Sequence, residues 1–593
     1  MLNRKSIKTD LCVVGGGLAG LCAAVAAARE GSRVLLMQER PVLGGNASSE
    51  IRMWVCGAHG DNNRETGIIE EIALENYYRN PTKNYHLWDT VLYDFARREP
   101  NLTLLLNCTG MDAEVEQGHF PFGRVRHITK VTGYQMTTQT FFDIEAKYYA
   151  DCSGDSILAP LTGAEFRIGR EGKKDHGEPT HVEKRDDLTM GMSCLLQGRE
   201  TIRPVKFTPP SWSAKLTSEN FKDRHLDIYS SYENYWYLEL GGNRDTIHDT
   251  EEISKDLLAL ALGTWDHIKN SGEHKADNWD LEFLSFLPGK RESRRMMGEY
   301  IITANDVLNN TQFDDVVAFG GWPIDDHFPD GFYHKGTPNT NILPKVPYQI
   351  PYRCLYSKNV SNLYFAGRNI SMTHMAMSSI RVMATCALLG QAVGTAAAVA
   401  CAYDLTPHGV YLEKIAEVQA RLMSADCFLP GKSREVSRIC QDTILENGNE
   451  CLKNGQDRPN ILYGTRECGM TVKNGTPLIY RFDHPQTIGA VHLVFDSDLD
   501  RLSLPGDACE RSHTMRCNIR LDSPQTYVPR TLCRAFTLEA ETENGWFMVY
   551  DCKDNLKRAH HIRLEQSVKA LRLVPSENWG GTEETRVFSF DFK

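Results

Sequence analysis

The sequence has no Cys-x-x-Cys pair, no long basic block, no internal repeat and no long, strongly apolar run. Each absence excludes something. Without Cys-x-x-Cys there is no zinc ribbon and no thioredoxin-type redox pair. The nearest metal-like spacing, Cys56 to His59, lacks a second pair, so it reads as packing or as polar lining, and no metal is expected. The 17 cysteines are an odd number without framework spacing, which reads as free thiols in a reducing, cytoplasmic setting. Lys and Arg number 66 against 77 Asp and Glu, a net charge of −11, which makes nucleic acid and anionic membrane surfaces poor partners. Arg4, Lys5 and Lys8 before the apolar run 11–28 imitate a secretory signal, but Asp10 and four glycines at 15, 16, 17 and 20 interrupt it. The run 386–403, half of it Ala and Gly with Gln391 inside it, is too weakly apolar and too short for a membrane span and reads as a tightly packed buried helix. What remains has 41% hydrophobic and 24% charged residues over 593 positions, an ordinary globular composition with length for about four domains. The expected ligand is a small molecule.

Residues 10–14 (Asp-Leu-Cys-Val-Val) have strand character and end at Gly15-Gly16-Gly17-Leu18-Ala19-Gly20. An Ala-rich helical stretch to Arg29, a second strand at 33–37 and Glu39 follow. Strand, G-x-G-x-x-G, helix, strand and acid in that order form the dinucleotide fingerprint in its required context. Gly15 makes the tight turn, Gly17 lets backbone approach a pyrophosphate, and Gly20 packs helix on strand. Leu18 and Ala19 open the helix whose positive end faces the phosphates. Glu39 is placed to accept hydrogen bonds from ribose hydroxyls. No second such fingerprint appears, so no separate nicotinamide domain is expected.

The glycine pair in Arg40-Pro41-Val42-Leu43-Gly44-Gly45-Asn46 resembles the loop that follows the acid in glutathione-reductase-like flavoproteins. Residues 149–155 (Tyr-Ala-Asp-Cys-Ser-Gly-Asp) resemble their middle FAD segment, and 362–368 (Asn-Leu-Tyr-Phe-Ala-Gly-Arg) their final strand and glycine. The resemblance implies FAD, held non-covalently, with Arg40, Gly44, Gly45, Asn46, Asp151, Gly154, Gly367, Arg368 and Val382 beside it.

Residues 289–295 (Gly-Lys-Arg-Glu-Ser-Arg-Arg), 320–325 (Gly-Gly-Trp-Pro-Ile-Asp) and 366–394 narrow this further. Over residues 8 to 402 the chain resembles the bacterial FAD-dependent oxidoreductase family related to the flavoproteins of succinate dehydrogenase and fumarate reductase. The resemblance implies that Arg381 grips an anionic or oxygen-rich substrate. Met377 and Ser378 stand where the fumarate-reductase group has His-Gly, so a dicarboxylate does not follow. Arg294, or Arg291 beside it, is a second candidate for substrate oxygens. His374 is the candidate proton carrier because imidazole titrates near neutrality. His59 is another, and its loop is where related flavoproteins sometimes attach FAD through histidine. Tyr333 and His334 are candidates for the site wall.

The expected fold is an α/β Rossmann-type FAD-binding domain, discontinuous over 1–164 and 345–428. An α+β cap spans 165–344, and a C-terminal all-β domain spans 435–593, resembling a galactose-binding-like β-sandwich. Within the cap, 167–187 reads as an exposed polar excursion, 229–240 as strands and 251–269 as an amphipathic helix. The sandwich suits either glycan recognition or docking and homo-oligomer formation. The implied activity is hydride transfer between flavin N5 and a small polar substrate, with a sugar or glycoside in view and carbohydrate metabolism as its setting. Two alternatives stay open: a carbohydrate-binding protein with a structural flavin, and a lyase or isomerase without net redox change.

Overall fold

The computed structural model describes residues 2–120, 123–464 and 468–593. Strand β1 (Asn3–Val14) is longer than the apolar run 10–14 predicts. Its polar half pairs in parallel with residues 140–146, and Arg4 meets Asp143 at 2.7 Å. The basic residues that imitate a leader therefore lie in a sheet. Helix α1 (Leu18–Arg29) leads to β2 (Val34–Met37), which runs parallel to β1. Both are apolar without alternation at this end because each face is covered, as parallel sheets require.

The sheet continues from β2 to Leu102–Leu105 on one side and from β1 to Thr140–Asp151 on the other, where Leu363–Phe365 also joins in parallel. An antiparallel hairpin, Cys108–Phe120 with Gly123–Gln135, extends it. The Ala- and Gly-rich run forms helix Met383–Tyr403, buried along nearly its whole length and packed on α1. It is the one helix among the described residues long and apolar enough to cross a membrane, and 94% of its apolar window is buried. Close approach explains its composition. A Cβ on Gly390 would sit 1.9 Å from the Ala19 carbonyl oxygen, and one on Gly394 would sit 2.2 Å from that of Ala23.

The first core reaches back across residue 345, since Val317, Ala318 and Phe319 pack in it with Tyr348 and Ile350. Their strands, Val316–Gly320 and Tyr348–Pro351, are paired antiparallel. Between the parts of this core lies a second one around helix Thr250–Asn270, close to the bounds its periodicity predicts. The aromatic stretch 229–240 is not a set of strands: only Glu239–Leu240 is extended in a sheet. Its polar residues close turns instead, with Asp227 and Asn234 accepting from the backbone of Tyr229 and Trp236, and Tyr235 adopts φ +58°. Nor is 167–187 wholly exposed, because Arg170 and Glu171 are buried.

Helix Pro407–Ser424 ends this part. Beyond it, seven strands form an antiparallel sheet around a core of their own. The runs near 477–482 and 489–495 are one strand, Leu478–Phe495, paired along its length with Ala559–Asn578 through two breaks in register. Residues 496–532 return to the first part of the chain. Cys517 donates its N–H to Ser231 O (2.7 Å), Thr526 to Pro81 O (2.8 Å), and Arg501 pairs with Glu70 at 2.6 Å with both side chains buried. All 17 cysteines are unpaired.

Candidate functional site

A cavity of about 660 Å³ opens where β1 meets α1. The local chemistry of the glycines explains its shape. Gly15 adopts φ +104°, and a Cβ there would lie 2.4 Å from Cys152 O. A Cβ on Gly20 would lie 1.8 Å from Gly15 O, so Gly20 packs behind the turn and does not line the cavity. Gly17 faces open space, its nearest obstruction Gly45 Cα at 3.9 Å. Gly44 and Gly45, both at positive φ, stack on it, with Gly44 N–H donating to Gly16 O at 2.8 Å. Gly17 caps α1 without a side-chain bond, leaving the first N–H groups and the positive helix end available to an anion.

Past β2, Glu39 is largely exposed at the cavity wall. Arg40 pairs with Glu50 at 3.2 Å, yet its buried Nε makes no hydrogen bond. Asn46 Nδ2 donates to Lys290 O at 3.0 Å, tying the glycine loop to residues 289–295. Among the residues singled out in the sequence, Leu18, Ala19, Gly154, Gly367, Arg368, Val382, Arg294 and Arg381 line the same cavity. A glycine turn, a helix N-terminus and an acid beside it are the groups that hold a dinucleotide, and the unsatisfied Arg40 nitrogen next to them leaves a further donor, so the residues fit FAD.

Asp151, His59 and His374 lie outside the lining. Asp151 is buried behind it, where its carboxylate accepts from Ser153 N–H (3.0 Å) and Leu158 N–H (2.8 Å) and shapes the turn that presents Gly154 and Asp155. The ring of His59 stands edge-on to Trp322 at 4.7 Å, and burial lowers its pKa. His374 begins helix His374–Ile380 with its imidazole clamped between Glu292 (2.8 Å) and Asp326 (2.9 Å). Burial alone would lower its pKa, but the two carboxylates outweigh it and push it up to about 10. An imidazolium so held does not surrender its proton near neutrality. Arg295 belongs to the same buried network, pairing with Glu292 and Glu171. Tyr333 is exposed, and His334 stacks on Phe328 at 3.8 Å; neither lines the cavity.

The far end of the cavity carries a group that the sequence reading did not assemble. His327, on strand Ile324–His327, holds Glu239 at 2.6 Å through Nδ1 and Asp325 at 3.2 Å through Nε2. Burial would discharge it, but Glu239 and Asp325 raise its pKa above the ordinary 6.5. Arg291 pairs with Glu239 at 3.3 Å and donates to Ser193 Oγ and Trp236 O. Arg291 and His327 in turn hold the buried Glu239 at about 2, against the upward effect of burial. Arg381 caps helix His374–Ile380 and donates to Asp325 Oδ2 at 3.1 Å, while its buried Nε is unpartnered. Trp236 and Trp322 flank the cluster. Asp325 and His327 share one face of a strand while Asp326 points to the other, the alternation that could have marked them. Six permanent cations, Arg40, Lys290, Arg291, Arg294, Arg368 and Arg381, line the cavity against three carboxylates, Glu39, Asp155 and Asp325.

The pattern of the family described as "FAD dependent oxidoreductase" matches residues 10–422. No curated protein matches the chain. Among solved structures, the FrdA chain of E. coli quinol fumarate reductase is 13% identical, with 70% of this chain and 74% of that one covered at TM-score 0.28. THI4 of Thermovibrio ammonificans is 20% identical over 30% of this chain and 74% of its own, at TM-score 0.21. A family 32 carbohydrate-binding module from Streptococcus pneumoniae EndoD is 14% identical over 26% of this chain and 99% of its own, at TM-score 0.18. Likenesses this distant carry nothing about substrate.

Proposed function

We infer that this chain, which belongs to the FAD dependent oxidoreductase family and takes FAD as its cofactor, moves hydride between the flavin and a small, oxygen-rich or anionic substrate held at the Arg291–Arg381 end of the cavity. The observation that carries this reading is the pairing of a glycine-and-helix cradle at one end with two part-buried arginines and a doubly paired histidine at the other. Bound flavin supplies the hydride acceptor or donor at its N5 atom. The chain supplies the rest.

Gly17, Gly44 and Gly45 admit the pyrophosphate to the N-terminus of α1, and Glu39 takes the ribose hydroxyls. Arg368 and Lys290 both pair with Asp155, at 2.6 and 2.8 Å, which fixes the loop against the cofactor side of the cavity. Arg381 and Arg294 orient substrate oxygens. Arg381 is suited to this because Asp325 anchors its guanidinium through Nη2 at the cavity wall. His327 exchanges the proton, taking it as neutral imidazole when substrate is oxidised and giving it as imidazolium when substrate is reduced, while Glu239 and Asp325 set its orientation and raise its pKa. The indoles of Trp54, Trp236 and Trp322 offer flat apolar walls that suit a sugar ring.

An anaerobic screen of sugars, glycosides, hydroxy acids and unsaturated acids, followed by flavin absorbance, tests the reading. At least one class should bleach the flavin, and Arg381→Ala should lower kcat/KM for it by about 10- to 150-fold, the loss of one charged hydrogen bond. A wild-type rate in Arg381→Ala would remove the arginine from the site. A bound flavin that no class bleaches, although sugars shift its spectrum, would instead favour a binding protein with structural FAD.

A further inference from the structure

Three side chains converge at the surface edge of the second core and serve no purpose in the site described above. His267 lies in the last turn of helix Thr250–Asn270, whose first residue lines the flavin cavity. Seventeen residues of helix put His267 about 25 Å from that end. The chain then turns at Gly272, with φ +82°, and brings Glu273 and His274 back against the helix end. His267 Nε2 is 3.7 Å from Glu273 Oε2, and the two imidazole rings meet edge-on with centroids 5.2 Å apart. Each of the three residues brings one ligand atom to within 4.8 Å of the others.

We propose that His267, Glu273 and His274 form a binding site for one divalent transition metal ion of the zinc class. Two imidazole nitrogens and one carboxylate oxygen are the donors of a three-ligand zinc site, with water completing the tetrahedron on the exposed side of Glu273. The set is too poor in oxygen for calcium or magnesium. Two further observations support it. His274 Nε2 is buried without a hydrogen-bond partner, a costly state that a metal ion relieves. Ser218 Oγ donates to the other carboxylate oxygen of Glu273 at 2.5 Å, and Phe221 stacks on His267 at 4.9 Å. These are the outer contacts that orient ligands before metal arrives. Tetrahedral zinc with bonds of about 2.0–2.1 Å places its ligands roughly 3.4 Å apart, so small rotations of Glu273 and His274 on their turn close the site. The ion would clamp the end of the helix to the turn after it and to residues 218–221. It is too distant to touch the flavin.

Zinc titration of the full FAD-loaded chain tests this, with a chromophoric chelator as competitor. Wild type should hold one more Zn²⁺ per chain than either His274→Ala or Glu273→Gln, and Ser218→Ala should weaken that ion by about 10-fold. Co²⁺ in its place should give visible absorption bands from nitrogen and oxygen ligands in wild type only. Both variants lie on a surface turn, and their flavin spectra should match wild type, which separates lost metal from lost fold. Binding to surface thiols would appear equally in every variant. Equal stoichiometry and affinity in wild type and His274→Ala would overturn the proposal.

Discussion

At the level of single residues, the two histidines of the site region have opposite assignments. His374 sits between Glu292 and Asp326 with its pKa pushed up to about 10, while a free histidine titrates near 6.5. A group raised on folding stabilises fully below its unfolded pKa and loses that contribution as pH rises through its folded one. The His374 contribution should therefore be intact below about pH 6.5 and gone above about pH 10. His374→Ala should cost about 3–5 kcal/mol in denaturant unfolding at pH 7, because it strands two buried carboxylates. His327 is raised in the same sense, by Glu239 and Asp325, but it faces the cavity. If it takes the substrate proton, flavin reduction should accelerate as pH climbs through that raised pKa, where the imidazole becomes a free base. In His327→Gln this limb of the pH profile should vanish and the rate should fall by about 10²- to 10⁴-fold. Stopped-flow flavin bleaching across pH decides it; a variant that keeps the limb would exclude His327 as the base.

Among the secondary-structure elements, contact between α1 and helix Met383–Tyr403 positions the cradle. Their backbones approach so closely that Gly390 has no space for a methyl group beside Ala19 O. Gly390→Ala should push the two apart, destabilise by about 1–3 kcal/mol, and weaken FAD because the N-terminus of α1 moves with the helix. Thermal melting with and without added FAD measures both effects. A variant that melts and binds as wild type would show that the helices have slack here. The same small residues, Ala and Gly at 10 of its 21 positions, let a helix apolar enough to cross a membrane pack instead inside the protein.

On the scale of the whole molecule, the C-terminal part is joined to the rest by buried charge. Arg501 and Glu70 pair at 2.6 Å with no exposure to speak of, and Arg64 stands 3.3 Å from the same carboxylate. Lys83 donates to the carbonyls of Glu510 and His513, and the His513 ring packs 4.8 Å from Trp54, a wall of the 660 Å³ cavity. Arg501→Ala should cost roughly 3–5 kcal/mol by leaving Glu70 buried and less well paired. Proteolysis should then release the 435–593 region faster than in wild type, and unchanged digestion would show that the joint is held elsewhere. The sequence alone determined the glycine turn and the core helices, because a strand–turn–helix unit and a helical period are written within a few dozen consecutive residues, whereas FAD followed from a family resemblance carried by the separate segments 40–46, 149–155 and 362–368. It did not separate His327 from His374, or Asp325 from Asp326. Their roles depend on which face of one short strand meets the cavity, and on partners such as Glu239 and Glu292 that lie 88 and 82 residues away. Only packing decides contacts of that separation, because nothing local in the chain couples them.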